Sequence, residues 1–244
     1  MISRWFVICV SLWLLPAVIA SAVEIPPAQH PWGRFKPNSW QRVRVTTEAF
    51  GSENLKTVTT KVITTRLVKV ESDGYVVSRE VKTGDRVTKR STVKHAWDGS
   101  TPNDSTREKY SLGEVPVEGK TYACQTQLLT TEADGITTVT KSWYCPDHSP
   151  YFLKRLTRVT GQRRQTTITT VIRRAVTKSV LNREFDCWES ETKDSTPNTT
   201  TTTTTYGSSK VPGGLVLSES EVNDKQQGQL RKVRVELIAF EVAR

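Results

Sequence analysis

The stretch STPNTTTTTTTYGSSKVPGG (residues 195–214) decides the fold, because its seven consecutive threonines form either a low-complexity linker or a β-strand. Threonine is β-branched, and such side chains suit the pleated surface of a sheet better than a helix. About one in seven of the 244 residues is threonine, so the same choice applies to much of the chain.

An internal repeat places the threonine run in a hairpin. Cys124 and Cys187 are 63 residues apart, and so are Trp143 and Tyr206. The same offset lays ITTVTKSWYC over TTTTTTTYGS without a gap. Copies at about 116–160 and 179–223 therefore predict repeated hairpins of one continuous sheet, with the threonine run as a strand. Alignment of threonine-rich strands by composition alone is the alternative.

The rest of the chain also has the pattern of strands. No window shows sustained apolar spacing at i, i+3, i+4 and i+7, and turn-forming pairs such as Asp134-Gly135 separate the alternating segments. We predict an all-β fold, a large antiparallel meander sheet that is curved or half-barrel-like and follows an N-terminal signal helix. Residues 98–107 are predicted as a polar loop. The predicted strands are 40–50, 55–70, 75–81, 86–97, 120–131, 136–145, 151–160, 163–180, 184–191, 199–208, 215–222 and 230–242.

The first residues predict export. Arg4, an apolar run and the small residues Ala20-Ser21-Ala22 form the pattern of a signal peptide at 1–22, cleaved after Ala22. The apolar run is shorter than the roughly 20 residues of a membrane span, so an uncleaved anchor is the less favoured alternative. We expect a periplasmic or secreted protein without a transmembrane segment, with a proline-rich lead-in at 23–39 and one β domain at 40–244.

The hairpin turn predicts a disulfide. A two-residue turn at Asp134-Gly135 places Cys124 opposite Cys145 at a non-hydrogen-bonded site, where Cα atoms approach to about 4.5 Å. In an oxidising compartment this distance favours a disulfide. Cys187 faces Ser208 under the equivalent pairing and is left over, either as a buried free thiol or as a partner for another chain.

A zinc site competes for the same residues. Cys145-Pro-Asp-His148 has C-x2-H spacing, and Cys124 could supply a third ligand. A closed zinc site usually has two paired ligand motifs, and this chain has one, so we expect no metal.

Catalysis has little support in the sequence. The three histidines belong to no nucleophile elbow, zincin helix or phosphate-binding loop. We therefore expect a non-catalytic protein without a cofactor.

Charge is the most informative chemical feature. The net charge is +10, and no acidic residue occurs between Asp147 and Glu184. Such a stretch attracts polyanions. We expect an anionic cell-envelope polymer or lipid head groups as the partner, rather than nucleic acid. The alternative is a solvated face whose cations prevent edge-to-edge pairing of strands. The predicted anion-binding residues are Lys154, Arg155, Arg158, Arg163, Arg164, Arg173 and Arg174.

Three motifs carry a resemblance to known proteins. HPWGRF (30–35) with Trp40, WYCPDHSP (143–150) and VPGGLV (211–216) resemble a group of exported bacterial proteins of uncharacterised activity, which implies export alone. The threonine-rich hairpins are also loosely similar to periplasmic lipoprotein carriers, whose curved antiparallel sheet shelters acyl chains. This chain departs from the carriers in its duplicated hairpins and in having no evident helical lid. The similarity implies, as an alternative function, a carrier that holds a lipid or acyl chain on a concave face.

Overall fold

Thirteen strands hold most of the residues that the structure describes. The computed structural model describes residues 26–51, 56–97, 107–145, 148–162, 164–226 and 228–243. The predicted signal segment 1–22 and the start of the lead-in lie outside these residues. A 3₁₀ turn at Pro27–Gln29 precedes the strands. The strands are β1 (Trp40–Phe50), β2 (Lys56–Glu71), β3 (Gly74–Thr83), β4 (Arg86–Ala96), β5 (Arg107–Val117), β6 (Lys120–Ala133), β7 (Ile136–Tyr144), β8 (Phe152–Thr160), β9 (Gln165–Val180), β10 (Arg183–Ser195), β11 (Thr199–Gly207), β12 (Leu215–Asp224) and β13 (Gly228–Glu241).

The strands form one antiparallel sheet in the order β4-β3-β2-β1-β13-β12-β11-β10-β9-β8-β7-β6-β5. Neighbours in sequence are neighbours in the sheet everywhere except between β4 and β5, which are its two edges. The first and last strands pair in the middle, with Trp40 opposite Glu241. The predicted all-β antiparallel sheet is confirmed, and it is not closed into a barrel. Among the described residues there is no helix with the length and apolar character of a membrane span.

The threonine run is strand β11. It pairs with β10 so that Trp188 lies opposite Gly207, the register that the repeat predicts. In the equivalent hairpin, Gln125 lies opposite Tyr144 in the predicted register. Asp134 and Gly135 both have positive φ, 51° and 71°, as expected of the two-residue turn that matches strand twist. The hairpin interpretation of the run is therefore confirmed.

The predicted disulfide is also present. Cys124 and Cys145 are joined, with their Cα atoms 4.6 Å apart. Both sulfurs are therefore bonded to each other rather than available as thiolate ligands for zinc. Cys187 is a buried free cysteine, and burial raises the pKa of its thiol to about 11, so that it stays protonated at neutral pH. Disulfides are typical of proteins that fold outside the cytoplasm.

One strand was missing from the sequence prediction. β5 contains Gly113 and Pro116, which weaken a strand pattern, and it starts within the predicted loop at residues 98–107. Proline lacks an N–H donor and is tolerated mainly on edge strands. Since β5 is an edge of the sheet and pairs only with β6 among the described residues, its composition fits its position.

The two faces of the sheet follow from the register, because paired residues project on the same side. Following the pairs from strand to strand places Val43, Thr192 and Tyr144 on one face. On this side the ring of His30 lies 4.7 Å from Tyr75 of β3 and 6.3 Å from Tyr151 beside β8. Strands β3 and β8 are far apart in sheet order, so the sheet curls around this inner face, as predicted.

The lead-in packs inside the curl at one end of the sheet. Trp32 is 7% exposed and lies in a cluster that bridges the two halves. We call this the inner aromatic cluster. Burial of such large rings against both halves supplies much of the apolar stabilisation that holds the curl. Its buried members are Trp32, Leu67, Tyr75, Val77, Trp97, Tyr144 and Tyr151.

Hydroxyl side chains line the inner face toward the other end. Thr169 and Thr192 lie 2.9 Å apart through their hydroxyl oxygens, and Thr203 and Ser220 lie 2.8 Å apart. In each pair one hydroxyl donates a hydrogen bond to the other, and these cross-strand contacts stabilise the pairing of the strands. The inner face is therefore aromatic at one end and polar at the other.

Candidate functional site

A cavity lined by arginines lies across β1 to β4. It has a volume of about 570 Å³. We call it the arginine groove. Arg42 of β1, Arg66 of β2 and Arg90 of β4 contribute three guanidinium groups from three strands. The lining residues are Arg42, Thr64, Arg66, Ser78, Arg79, Glu80, Arg90, Ser91 and Thr92.

Strand alternation aims these side chains at the outer face. Val43 is on the inner face, so its neighbour Arg42 points outward, as alternation in a strand requires. Arg42 lies in one cross-strand row with Thr64, Glu80 and Arg90, and Arg66 lies in the next row with Ser78 and Thr92. The groove is therefore built from two adjacent rows, each with cations and hydroxyl groups.

One carboxylate among the described residues balances the three arginines that project outward into the groove; the fourth lining arginine, Arg79, projects to the inner face. Arg90 donates from Nε to Glu80 at 3.0 Å, and this hydrogen bond lowers the pKa of Glu80. Arg42 donates from Nε to the Thr64 hydroxyl at 3.0 Å and lies 5.2 Å from the Trp40 ring. The guanidinium of Arg66 has no hydrogen bond or ion pair with any described residue. Two of the three guanidiniums thus lack a carboxylate partner among the described residues.

Such a set suits an anionic ligand. A guanidinium offers up to five N–H donors in a fixed fork that matches carboxylate and phosphate oxygens. Hydroxyls of Ser78 and Thr92 lie in the same row as Arg66 and can donate further hydrogen bonds. The groove therefore provides charge and directional donors in one place.

The predicted anion-binding residues do not form one surface. Lys154 and Arg158 lie on the outer face of β8, whereas Arg155 lies on the inner face, where it donates to the Ser142 hydroxyl at 3.3 Å. Arg173 pairs with the buried carboxylate of Glu189. Arg163 lies outside the described residues, and Arg164 is exposed just before β9.

Arg174 is committed to the chain between β7 and β8. Its guanidinium donates to the Ser149 carbonyl oxygen at 3.0 Å, and its backbone N–H donates to Glu118 at 3.2 Å. The same guanidinium lies 5.1 Å from the Tyr122 ring. Anion binding by this set stays a prediction, with Lys154 and Arg158 as the pair that share the outer face.

His30 is the titratable centre of the inner aromatic cluster. The Trp32 backbone N–H donates to Nδ1 of His30 at 3.1 Å, so the neutral ring carries its proton on Nε2. The pKa of His30 is lowered from 6.5 to about 4, chiefly by burial and in smaller part by the charges of His95 and Arg34. A proton on Nδ1 would also face the Trp32 N–H, so the packed arrangement requires the neutral ring.

We expect the free energy of unfolding to fall by about 2 kcal/mol between pH 7 and pH 5 on account of His30. The native pKa of about 4 lies below the unfolded value of 6.5, so the unfolded chain takes up the proton first. This stabilisation is complete above pH 6.5 and is lost as the pH falls toward 4. Urea denaturation at each pH measures it. A His30→Asn variant should lose this part of the pH dependence, and an unchanged profile in the variant would contradict the assignment.

Comparisons with known proteins give no family. No family model matches the chain, and no curated protein matches it. One similar solved structure is a protein assigned as exported, with a YmcC-like fold, from Bacteroides fragilis, at 10% identity and TM-score 0.34, covering 85% of this chain and 98% of that one. Another is a domain assigned as an outer membrane lipoprotein-sorting protein from Vibrio parahaemolyticus, at 11% identity and TM-score 0.36, covering 84% and 85%. At such scores neither likeness carries an argument about function.

Proposed function

We propose that the chain is an exported, non-catalytic binding protein that docks an anionic partner of the cell envelope in the arginine groove. The observation that carries the proposal is the convergence of Arg42, Arg66 and Arg90 on a cavity of about 570 Å³ that has a single carboxylate, Glu80. The net charge of +10 supports it, because a positive field raises the rate of encounter with polyanions.

The alternative function, a lipid carrier, finds less support in the inner face. An acyl chain gains free energy by leaving water for apolar surface. Here the lead-in already fills one end of the curl through Trp32 and its neighbours, and the other end presents threonine and serine hydroxyls. The arginine groove is therefore the better basis for a function.

We expect an Arg42→Gln/Arg66→Gln variant to bind polyanions more than 10-fold more weakly than the parent protein. Each lost hydrogen bond to a charged group contributes about 1.5 kcal/mol or more, and two such losses exceed a factor of ten. Isothermal titration with linear inorganic polyphosphate and with polygalacturonate measures the affinity and shows whether phosphate or carboxylate is preferred. Parent affinity should also fall with salt, because exposed charges are screened.

A matched control removes the same charge elsewhere. Lys61 and Lys89 are exposed and outside the groove, so Lys61→Gln/Lys89→Gln should keep nearly full affinity. Equal losses in both double variants would show a general effect of net charge and overturn the groove as the site. Absence of binding by the parent to both polymers would overturn the proposal itself.

A further inference from the structure

A second region of the outer face has different chemistry from the groove. On β6 to β9, the residues Leu128, Lys141, Leu156 and Ile168 lie opposite one another in a single cross-strand row. They alternate with the inner-face residues Ser142 and Arg155, so all four side chains project outward. Three apolar side chains thus share one row on the convex side of the sheet.

Cations lie in this row and in the rows on both sides of it. Lys141 belongs to it, Lys154 lies in the adjacent row beside Trp143, and Arg158 lies in the row on the other side. The ammonium groups of Lys141 and Lys154 lie 4.9 and 5.3 Å from the Trp143 ring centroid. None of the three cations forms an ion pair with a described residue. We call these six residues, Leu128, Lys141, Lys154, Leu156, Arg158 and Ile168, the basic apolar face.

The same cross-strand row has a different composition on the strands beyond β9. Toward β12 and β13 the row carries Glu221 and Lys232, which form an ion pair at 3.2 Å. Ion pairs of this kind neutralise an ordinary solvated sheet face. On the basic apolar face, by contrast, Ile168 leaves 39% of its surface exposed and the neighbouring positive charges have no acidic partner among the described residues.

We propose that the basic apolar face docks on an anionic membrane surface, with lysine and arginine at the lipid phosphates and the apolar row against the upper acyl region. Exposed apolar groups beside unpaired cations are the combination that binds anionic bilayers from one side. Lysine ammonium groups impose no fixed fork geometry, which suits mobile lipid phosphates. Trp143 lies between the two lysines, and its amphipathic indole ring suits the boundary between head groups and acyl chains.

The test is co-sedimentation of the exported, processed chain with sucrose-loaded vesicles. Vesicles of phosphatidylglycerol and phosphatidylcholine in equal parts should pellet the protein at low salt, and vesicles of phosphatidylcholine alone should not. Lys141→Gln/Lys154→Gln/Arg158→Gln should bind roughly 100-fold more weakly, because each cation near an anionic surface contributes roughly five-fold. Thermal unfolding confirms that the variant is folded.

Two further variants separate the contributions. Lys61→Gln/Lys89→Gln/Lys120→Gln removes the same charge from exposed lysines outside the face and should still pellet. Both triple variants share the N-terminus of the parent, so any contribution of that segment cancels in the comparison. Leu156→Ser/Ile168→Ser keeps the cations and should weaken binding several-fold at high salt, where the apolar term dominates.

The outcomes decide between partners. Equal weakening of the two triple variants, or no binding of the parent to anionic vesicles, would overturn the proposal. Retention of an acidic protein by the face, without vesicle binding, would also overturn it in favour of a protein partner. Arg42→Gln/Arg66→Gln should pellet like the parent, so failure of the arginine groove as a site leaves this result unaffected.

Discussion

Loss of the Cys124–Cys145 disulfide is expected to lower the free energy of unfolding by about 3 kcal/mol, because the bond restricts the unfolded chain over a sequence separation of 21 residues. The bond also sits in the cluster with Leu153 and Val171, both nearly fully buried, so its loss loosens packing between β6 and β9. Urea denaturation with and without dithiothreitol measures the difference.

The control for this prediction is a variant that lacks both cysteines of the disulfide. Cys124→Ala/Cys145→Ala should have the lowered stability in both buffers and no response to reductant. Cys187 is already a free thiol, so reductant should not act through it. Equal stability of the parent with and without dithiothreitol would contradict the prediction.

Local chemistry made the hairpins predictable. A two-residue hairpin turn that matches strand twist needs positive φ at both residues, which Asp and Gly adopt readily, so Asp134-Gly135 predicts the register of β6 and β7. The repeat then carries that register to β10 and β11, including Trp188 opposite Gly207. Composition alone does not decide whether a threonine run is a strand or a linker, and here the turn residues decide it.

Long-range pairing was not predictable in the same way. Trp40 and Glu241 pair across 201 residues, and the Trp40 indole N–H donates to the Glu241 carboxylate at 3.0 Å. No local turn encodes this closure. The lead-in likewise has no strand pattern, and the burial of Trp32 depends on strands that the sequence alone does not bring together.

The sequence analysis does not predict the arginine groove, because its arginines also come together through pairing of strands that are distant in sequence. Arg42, Arg66 and Arg90 are separated by long stretches of chain, and the sequence at 51–55 does not predict the register of β1 against β2 in the way that Asp134-Gly135 predicts that of β6 against β7. The basic stretch from Lys154 to Arg174 was visible because its cations are close in sequence. Adjacent residues in a strand point to opposite faces, so Lys154 and Arg155 separate.

The basic residues of this chain therefore have distinct roles, which the net charge alone does not distinguish. Arg42 and Arg66 line a cavity, Lys141 and Lys154 lie in and beside a partly exposed apolar row, and Arg174 holds the chain between β7 and β8. The proposed groove and the proposed membrane face lie on the outer side of different parts of one sheet. A protein bound to a membrane by one part can present the groove of the other to an anionic polymer.

Arg173 has a structural role, although its side chain is half exposed. The side chain of Arg173 is 53% exposed, but its partner Glu189 is only 5% exposed. The Tyr206 hydroxyl donates to Glu189 at 3.2 Å, and the Lys178 ammonium lies 3.7 Å from the Tyr206 ring centroid. A buried carboxylate is stable only when it is paired and hydrogen-bonded, so the guanidinium is the group that makes this arrangement possible.

We expect Arg173→Ala to lower the free energy of unfolding by about 3 kcal/mol, the lower end of the range for breaking a buried ion pair, because the arginine itself is half exposed. Urea denaturation at pH 7 measures it. Arg158→Ala removes an exposed arginine without an ion pair among the described residues and should change stability by less than about 0.5 kcal/mol. Adding Glu189→Gln to Arg173→Ala should recover part of the loss, since it removes the unpaired charge. Equal effects of the two arginine variants would show that Glu189 does not depend on Arg173.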